Sequence, residues 1–128
     1  MFIGLDLIEI VRIAQAEARH GSAFLQRVYT PAERAAAQTR GLRRTVYLAG
    51  RFAAKEAVAK ALGTGIGAGV SWQNIEVLND ASGAPVVSLY LSAAMRARQR
   101  CGAGWRCTLS LTDTRHTSAA VAVLTAGG

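Results

Sequence analysis

Cysteine is scarce in this sequence, and no metal-binding pattern accompanies it. The chain has two cysteines, Cys101 and Cys107, with no CxxC pair and no cluster of His and Cys at the spacing of a zinc site. The pattern therefore argues against a structural zinc site. Two reduced thiols in a cytosolic protein are favoured over a disulfide.

Long apolar runs are also absent. No stretch approaches the roughly 20 residues of a membrane-spanning helix. The first apolar run follows no basic region and is interrupted by Asp6 and Glu9, so it does not read as a signal peptide. We expect a cytoplasmic protein with no membrane association. Its 128 residues contain no linker or repeat and predict a single domain over 1–128.

Acidic residues are few, and the chain is strongly basic. Eight Asp and Glu against 15 Lys and Arg give a formal charge of +7. A small basic protein usually binds an anionic partner such as nucleic acid, a phosphorylated ligand or an acidic protein. Nucleic-acid binding would need aromatic residues interleaved with basic ones on an exposed face. The few aromatic residues lie mostly in segments predicted to be buried, which disfavours that partner.

Local patterns predict an α+β fold, in which an antiparallel sheet packs against helices and one long helix is central. Thr30, Pro31 and Glu33 form a helix start with a capping box, and Ser92 is a second candidate cap. The expected strands are 1–10 (a buried strand), 74–80, 86–91, 105–113 and 118–124. The expected helices are 12–20, one starting at residue 31, 45–62 and 93–101.

The long helix carries charges among large apolar residues. Ala53, Ala54, Ala57 and Ala61 share one side, where another backbone can approach closely, and Arg51 and Lys55 lie on a second side with Leu48, Val58 and Leu62. Glu56 and Lys60 lie next to Phe52. They either face a pocket or interface, or form an ordinary i,i+4 surface pair.

The glycine-rich loop after this helix has two interpretations. Glycines in GTGIGAG, residues 63–69, would let backbone amides approach a phosphate. The loop, however, follows a helix C-terminus, where the dipole disfavours anions, and it matches no P-loop pattern. A helix C-cap followed by a flexible loop is favoured.

An acidic residue within the first strand needs a partner. Alternation places Ile3, Leu5 and Leu7 on one face, and Asp6 on the other. A carboxylate amid apolar residues is paired, coordinated or at a strand end. Asp6 and Glu56 together could bind a hard cation such as Mg²⁺, which takes one or two carboxylates plus phosphate oxygens and waters.

Four successive stretches resemble the motifs of bacterial holo-acyl-carrier-protein synthases, a family of 4′-phosphopantetheinyl transferases. The resemblance spans essentially the whole chain in order, and the second stretch is the most specific. The stretches are IGLDLIEIVRI (3–13), LAGRFAAKEAVAKALGTGIG (48–67), IEVLNDASGAPVV (75–87) and TLSLTDTRHTSAAVAV (108–123).

The resemblance implies a fold, a reaction and an assembly. Enzymes of this family move the phosphopantetheine arm of coenzyme A to a serine of apo acyl carrier protein. They release 3′,5′-ADP, depend on Mg²⁺ and support fatty acid biosynthesis. The family is typically a homotrimer with active sites between subunits. The implied partners are therefore coenzyme A, an acidic carrier protein and further copies of the chain.

The resemblance also implies roles for individual residues. Asp6 and Glu56 match the Mg²⁺ ligands, and with Lys60, near the pyrophosphate, they form the catalytic group. Arg12 and Arg27 match residues that face the carrier protein. The further positions implied for coenzyme A are Arg43, Arg44, Arg51, Lys55, Gly63, Thr64, Gly65, Gly83 and Pro85. Arg40, Arg43 and Arg44 are candidates for its 3′-phosphate, with a solvated loop as the alternative.

The last motif departs from the family pattern. Asp113 stands where many members have a histidine, and His116 does not replace it from the same geometry. Asp113 either helps to order Mg²⁺ or its water, or caps a turn. The base that takes the serine proton stays open between Glu56, Asp113 and metal-bound hydroxide. A transferase for polyketide or other carriers and a catalytically weak binding protein are the alternative functions.

Overall fold

The structure is a computed structural model that describes residues 1–127. The described residues form five helices and five strands, with four consecutive helices after the first strand and short 3₁₀ turns at Gly41–Arg43 and Trp72–Asn74. In chain order the elements are β1 Phe2–Glu9, α1 Ile10–His20, α2 Ser22–Val28, α3 Pro31–Gln38, α4 Arg44–Ala61, β2 Ile75–Asn79, β3 Pro85–Leu89, α5 Leu91–Cys101, β4 Arg106–Asp113 and β5 Thr117–Thr125.

The strands form two antiparallel sheets. In the larger sheet β5 is central and pairs with β1 on one side and β4 on the other, so the N-terminal strand joins the two C-terminal strands. The register places Asp6 opposite Ala120. The second sheet is the β2–β3 hairpin. The predicted α+β class with antiparallel pairing and a long central helix is confirmed.

Helix α4 lies directly on the larger sheet because the short side chains on its alanine side allow the two backbones to approach closely. Ala53, Ala54 and Ala57 are fully buried, and the predicted close approach of another backbone is made by β1 of the same chain. A Cβ atom added to Gly4 would lie 1.8 Å from the carbonyl oxygen of Ala57, so only glycine permits this spacing. Strand β1 and helix α4 thus carry Asp6 and Glu56 on two surfaces in direct contact.

Strand β1 is buried on one face only, so the prediction of a buried strand was wrong for the other face. Ile3, Leu5 and Leu7 point away from α4 and are 59, 64 and 70 % exposed. The register places Val123, Val121 and Ala119 of β5 beside them on the same face. The outer face of the larger sheet is therefore an uncovered apolar surface.

Several predicted boundaries differ from the structure by one or two residues, and one helix was missed. The capping box of α3 is confirmed, since Thr30 accepts from the Glu33 amide and Glu33 accepts from the Thr30 amide. Ser92 does not cap α5. The helix begins earlier, after Tyr90, and the Ser92 hydroxyl donates instead to Asn74. The helix that was not predicted is α2.

A buried ion pair joins α3 to α4. Lys55 Nζ lies 2.6 Å from Glu33 Oε1, and both side chains are fully buried. Burial raises the pKa of Glu33 and lowers the pKa of Lys55, while the contact between them opposes both shifts. The amides of Thr30 and Val77 also donate to Glu33, so the carboxylate links the start of α3 to strand β2.

No helix within residues 1–127 combines the length and the apolar character needed to span a membrane.

Candidate active site

The first candidate site is a pocket of about 480 Å³ between β1, α1, α2 and α4. Asp6 and Glu56 lie in it together, as the sequence predicted. We name it the carboxylate pocket, and its chemically relevant lining residues are Asp6, Glu56, Arg12, Arg27, Phe52 and Trp72. The rings of Phe52 and Trp72 pack at a tilt of 36° with centroids 4.8 Å apart and form an apolar wall beside the carboxylates.

Lys60 lies beside the carboxylate pocket and binds Asp6. Its ammonium group donates to Asp6 Oδ1 at 3.0 Å and to the carbonyl oxygen of Leu5 at 2.9 Å. The ammonium therefore bridges from α4 to β1, and the contact differs from an i,i+4 surface pair with Glu56. The interpretation of these charges as facing a pocket is the one that the geometry supports.

Two features of the pocket make the Glu56 carboxyl more basic than usual. Partial burial raises its pKa first, and the nearby negative charge of Asp6 raises the pKa further, while Lys60 opposes both. The two carboxylates are thus close enough to repel each other. A cation between them would relieve that repulsion, and oxygen donors are the ligands of a hard divalent ion.

The second candidate site is a pocket of about 390 Å³ near the other end of α4. We name it the arginine pocket, lined by Arg40, Arg43, Tyr47, Arg51, Asp113 and Ser118 among others. The guanidinium groups of Arg40 and Arg51 lie 4.4 and 4.0 Å from the centre of the Tyr47 ring. Two of the arginines implied for coenzyme A, Arg43 and Arg51, are brought together here.

Three buried polar atoms of the arginine pocket have no hydrogen-bond partner in the described part of the chain. They are Tyr47 Oη, Arg51 Nε and Ser118 Oγ. An unpaired buried polar group costs free energy, so such groups are normally satisfied by a ligand or by water. The cluster is therefore suited to a polar, anionic ligand.

Lys55 is a correction to the predicted set of coenzyme A residues. Its side chain is fully buried, and its ammonium group contacts Glu33 and the carbonyl oxygens of Val28 and Trp72. An ammonium group has three protons, and these three contacts account for them. Lys55 therefore belongs to the core and does not face a phosphate.

Arg44 is a second correction. It donates two hydrogen bonds of 2.8 Å to the two carboxylate oxygens of Glu17 on α1. This bidentate pair turns Arg44 towards α1, away from the arginine pocket that holds Arg43. Arg43 itself is exposed and lies 3.4 Å from Asp113.

The glycine loop caps helix α4, as the favoured interpretation predicted. The amides of Thr64 and Gly65 both donate to the carbonyl oxygen of Ala59, and the Gly63 amide donates to that of Lys60. Gly63 and Gly65 have φ of 81° and 65°, which favours glycine. These amides are occupied by the helix end, so the predicted contact of Gly63, Thr64 and Gly65 with coenzyme A phosphates would have to use other atoms.

The hairpin turn at Gly83 and Pro85 is connected to the arginine pocket through Asn79. The Asn79 side chain donates to the Gly83 carbonyl oxygen at 2.9 Å and accepts a hydrogen bond from Arg51. The position of the turn is thus coupled to Arg51. Contact of Gly83 or Pro85 with adenine stays a prediction.

Asp113 fits neither of its two predicted roles within one chain. It lies in the arginine pocket beside Arg43, whereas Asp6 and Glu56 lie in the other pocket. The turn before β5 is capped by the Thr114 hydroxyl, which accepts from the amides of His116 and Thr117. Asp113 therefore supplies negative charge next to an arginine, and the turn does not depend on it.

Sequence reasoning missed the apolar wall and the aromatic partner of the arginines. Trp72 lies on a 3₁₀ turn and Phe52 on α4, so only the tertiary fold brings their rings into contact. Tyr47 and Arg51 are four residues apart on α4, and that spacing was a usable signal for their contact. Ser118 gave no local signal.

Comparison with known proteins places the chain in a family. Residues 2–120 match the model of the 4′-phosphopantetheinyl transferase superfamily. The chain belongs to this superfamily. A holo-[acyl-carrier-protein] synthase of Solidesulfovibrio magneticus is 47 % identical over 122 residues, which cover 95 % of each chain.

Solved structures agree with this assignment. A holo-[acyl-carrier-protein] synthase of Neisseria meningitidis superposes with a TM-score of 0.84 at 39 % identity, with 96 % of each chain covered. One from Bacillus anthracis, in complex with CoA (3′,5′-ADP), gives 0.80 at 36 % identity, covering 98 % of this chain and 96 % of that one. These relatives confirm that the chain is a transferase of the holo-[acyl-carrier-protein] synthase type, as the sequence motifs predicted.

Proposed function

We propose that the chain transfers the 4′-phosphopantetheine arm of coenzyme A to a serine of apo acyl carrier protein and releases 3′,5′-ADP. The observation that carries this proposal is the carboxylate pocket, in which Asp6 and Glu56 lie with Arg12 and Arg27 and beside Lys60. The Bacillus anthracis relative in complex with CoA (3′,5′-ADP) supports the choice of substrate.

The carboxylate pocket suits Mg²⁺, the ion that the resemblance implies. Asp6 and Glu56 supply two carboxylates and no soft ligand, which matches a hard ion that completes its shell with water and phosphate oxygens. When bound, Mg²⁺ would neutralise charge on the pyrophosphate. We assign Asp6 and Glu56 as the residues that hold it.

We propose roles for the other charges in and beside the pocket. Lys60, half-exposed next to Asp6, is placed to bind pyrophosphate oxygens and to stabilise charge on the departing 3′,5′-ADP. Glu56 has a raised pKa, so it is better matched to accept the serine proton than an ordinary carboxylate. The Phe52–Trp72 wall excludes water from one side of the reacting groups.

Arg12 and Arg27 are proposed to receive the carrier protein. Both are exposed at the edge of the carboxylate pocket, on α1 and α2. Positive charge there would steer an acidic carrier so that its serine approaches Glu56. Increasing salt is expected to raise KM for the carrier more than KM for coenzyme A.

We propose a homotrimer with active sites between subunits. The uncovered apolar face around Ile3, Leu5 and Leu7 supports an assembly that buries it. The separation of the two pockets supports shared sites. In our proposal the carboxylate pocket of one subunit supplies the metal ligands, and the arginine pocket of its neighbour supplies Arg43 and Arg51 for coenzyme A.

We propose that this reaction occurs in the cytoplasm and supports fatty acid biosynthesis. Cys101 and Cys107 are free thiols in the structure, in keeping with a reducing compartment. Preference for a polyketide or other carrier is the alternative. Comparing kcat/KM for carriers of both classes distinguishes the two.

The released nucleotide gives a direct test of the transfer. The chain is incubated with coenzyme A, Mg²⁺ and an apo carrier, and 3′,5′-ADP is quantified by chromatography. We expect one 3′,5′-ADP per carrier serine, and none when that serine is replaced by alanine. Coenzyme A binding without nucleotide release would support the weak binding protein and overturn the proposal.

A further inference from the structure

We propose that Lys55 is a positioning residue, whose buried ammonium group fixes the wall of the carboxylate pocket that receives the carrier protein. The inference rests on the proposed function and deepens it, because it assigns a role in carrier binding to a residue that cannot touch carrier or coenzyme A. The wall is formed by Phe24, Arg27 and Val28 of α2 and by Trp72.

The Lys55 ammonium group holds the two segments of this wall at their backbones. It donates to the carbonyl oxygen of Val28, the last residue of α2, at 2.8 Å. It also donates to the carbonyl oxygen of Trp72, the first residue of the 3₁₀ turn, at 3.0 Å. Val28 and Trp72 are 44 positions apart in the chain, and one side chain joins both to helix α4.

Contacts of Gln73 and Trp72 also hold the two segments of the wall together. The Gln73 side-chain amide donates to the carbonyl oxygens of Gln26 and Tyr29, both at 2.9 Å, so the 3₁₀ turn is tied to the end of α2 a second time. The Trp72 ring packs against the ring of Phe52 on α4. The wall is thus held as a unit against the helix that supplies Glu56.

Lys55 connects the wall to the reacting carboxylate through its position on α4. Lys55 directly precedes Glu56, so one helical turn both presents a carboxylate to the reaction and anchors the wall that orients the carrier. Losing the anchor would let Arg27 and Trp72 move relative to Glu56, while the contact of α4 with the sheet persists through its alanine side. Misplacing residues that position a substrate weakens its productive binding, so the effect is expected in KM for the carrier.

A simpler role for Lys55 is to neutralise the buried charge of Glu33. The two roles predict different behaviour when both charges are removed. Glu33→Gln with Lys55→Met eliminates the buried ion pair and leaves no uncompensated buried charge, whereas Lys55→Met alone leaves Glu33 without its counter-charge. Methionine has no donor, however, so the carbonyl oxygens of Val28 and Trp72 stay without their anchor in this double variant.

The experiment compares Lys55→Met with the Glu33→Gln/Lys55→Met double variant, in a Trp105→Phe background. Trp72 is then the only tryptophan of the chain, and its emission reports on the wall without any substrate. Leu124→Ala is the matched control, because Leu124 is fully buried on β5 and outside both pockets. Urea unfolding, Trp72 emission, and kcat and KM for the apo carrier are measured for each.

Both Lys55 variants are expected to raise KM for the carrier by about tenfold or more and to shift the Trp72 emission. We expect kcat to fall by less than about threefold. The double variant should recover stability relative to Lys55→Met without recovering KM. Leu124→Ala should lose stability with KM and emission unchanged.

Two results would overturn the inference. One is a double variant with wild-type KM and emission, since Lys55 would then act only as the counter-charge of Glu33. The other is a change in stability alone in both Lys55 variants. If Lys55→Met does not fold, the double variant decides. If the wild-type chain transfers no arm, the proposed function fails, and the Trp72 emission still decides whether Lys55 anchors the wall.

Discussion

Substituting Gly4 by alanine tests the contact between β1 and α4 on which the carboxylate pair depends. The new Cβ would lie 1.8 Å from the Ala57 carbonyl oxygen, whereas ordinary contact begins near 3.4 Å, so the strand must move away by 1.6 Å. The next nearest atom outside Ala57 is the Ala61 amide nitrogen, at 2.8 Å. Both neighbours are helix backbone, which cannot rotate aside as a side chain does.

The expected cost is large for a chain of this size. Overpacking a well-filled interior typically costs 1–3 kcal/mol, and a backbone clash lies at or above that range, so we expect a loss of about 3 kcal/mol or more. Domains of this kind have a total stability of about 5–15 kcal/mol. Asp6 lies two residues beyond Gly4, so the displacement should also separate Asp6 from Glu56 and weaken cation binding.

Urea unfolding and calorimetric titration with Mg²⁺ measure the two effects. Gly50→Ala is the matched control, because Gly50 lies within α4 and a Cβ there meets no atom within 4 Å. Alanine is favoured over glycine in a helix by about 1 kcal/mol, so this control should gain stability. The reasoning is refuted if Gly4→Ala stays within about 1 kcal/mol of the wild type, or if Gly50→Ala loses as much as Gly4→Ala.

Three further changes test the site and the assembly. Because the pKa of Glu56 is raised in the folded state, its ionisation as pH rises above 4.5 disfavours the fold. Glu56→Gln should therefore unfold at a urea concentration no lower than that of the wild type at pH 7, yet lose Mg²⁺ binding. A marked loss of stability would contradict this. Lys60→Met removes a cation that competes with Mg²⁺ for Asp6, so calorimetry should show a Mg²⁺ affinity at least equal to that of the wild type. Turnover should fall by about 10²-fold. Unchanged turnover would show that Lys60 does not act on the pyrophosphate. Leu5→Asp places a charge in the uncovered apolar face, and light scattering should then report a monomer; a trimer of unchanged mass would exclude this face from the interface.

Some features of the site were accessible to sequence reasoning because their signal is local. Alternation in β1 assigned Asp6 to the face opposite Leu5, and the structure confirms that arrangement. The helical pattern assigned the alanines of α4 to one side, which lies on the sheet. Thr30 and Glu33 formed a capping box that the structure confirms. In each case neighbours in the chain determine the geometry.

Other features depend on which segments meet in the fold. Arg44 and Lys55 are both basic residues that the sequence offers as candidates for phosphate contact. Arg44 instead meets Glu17 of α1, and Lys55 meets Glu33 of α3, so neither is available. No local pattern encodes those partners. The resemblance to a family supplied the positions but not the surroundings of each side chain in this chain.

The exposure of β1 could not be determined from its composition. Both faces of the strand carry large apolar residues, so alternation separates the faces without identifying the one that is covered. Helix α2 was missed because it is short, at seven residues, and follows α1 directly after Gly21. Gly21 was interpreted as the end of α1, which is correct, and no pattern indicated that a second helix begins at the next residue.

The intact mass of an apo acyl carrier protein, after incubation with this chain, coenzyme A and Mg²⁺, tests the proposed function most directly. We predict a gain equal to one phosphopantetheine arm, which EDTA abolishes and Glu56→Gln does not produce. A carrier of unchanged mass, with several acyl carrier proteins tried, would contradict the proposed transfer. A full gain in the presence of EDTA would leave the transfer standing and refute the assignment of Asp6 and Glu56 as ligands of an essential cation.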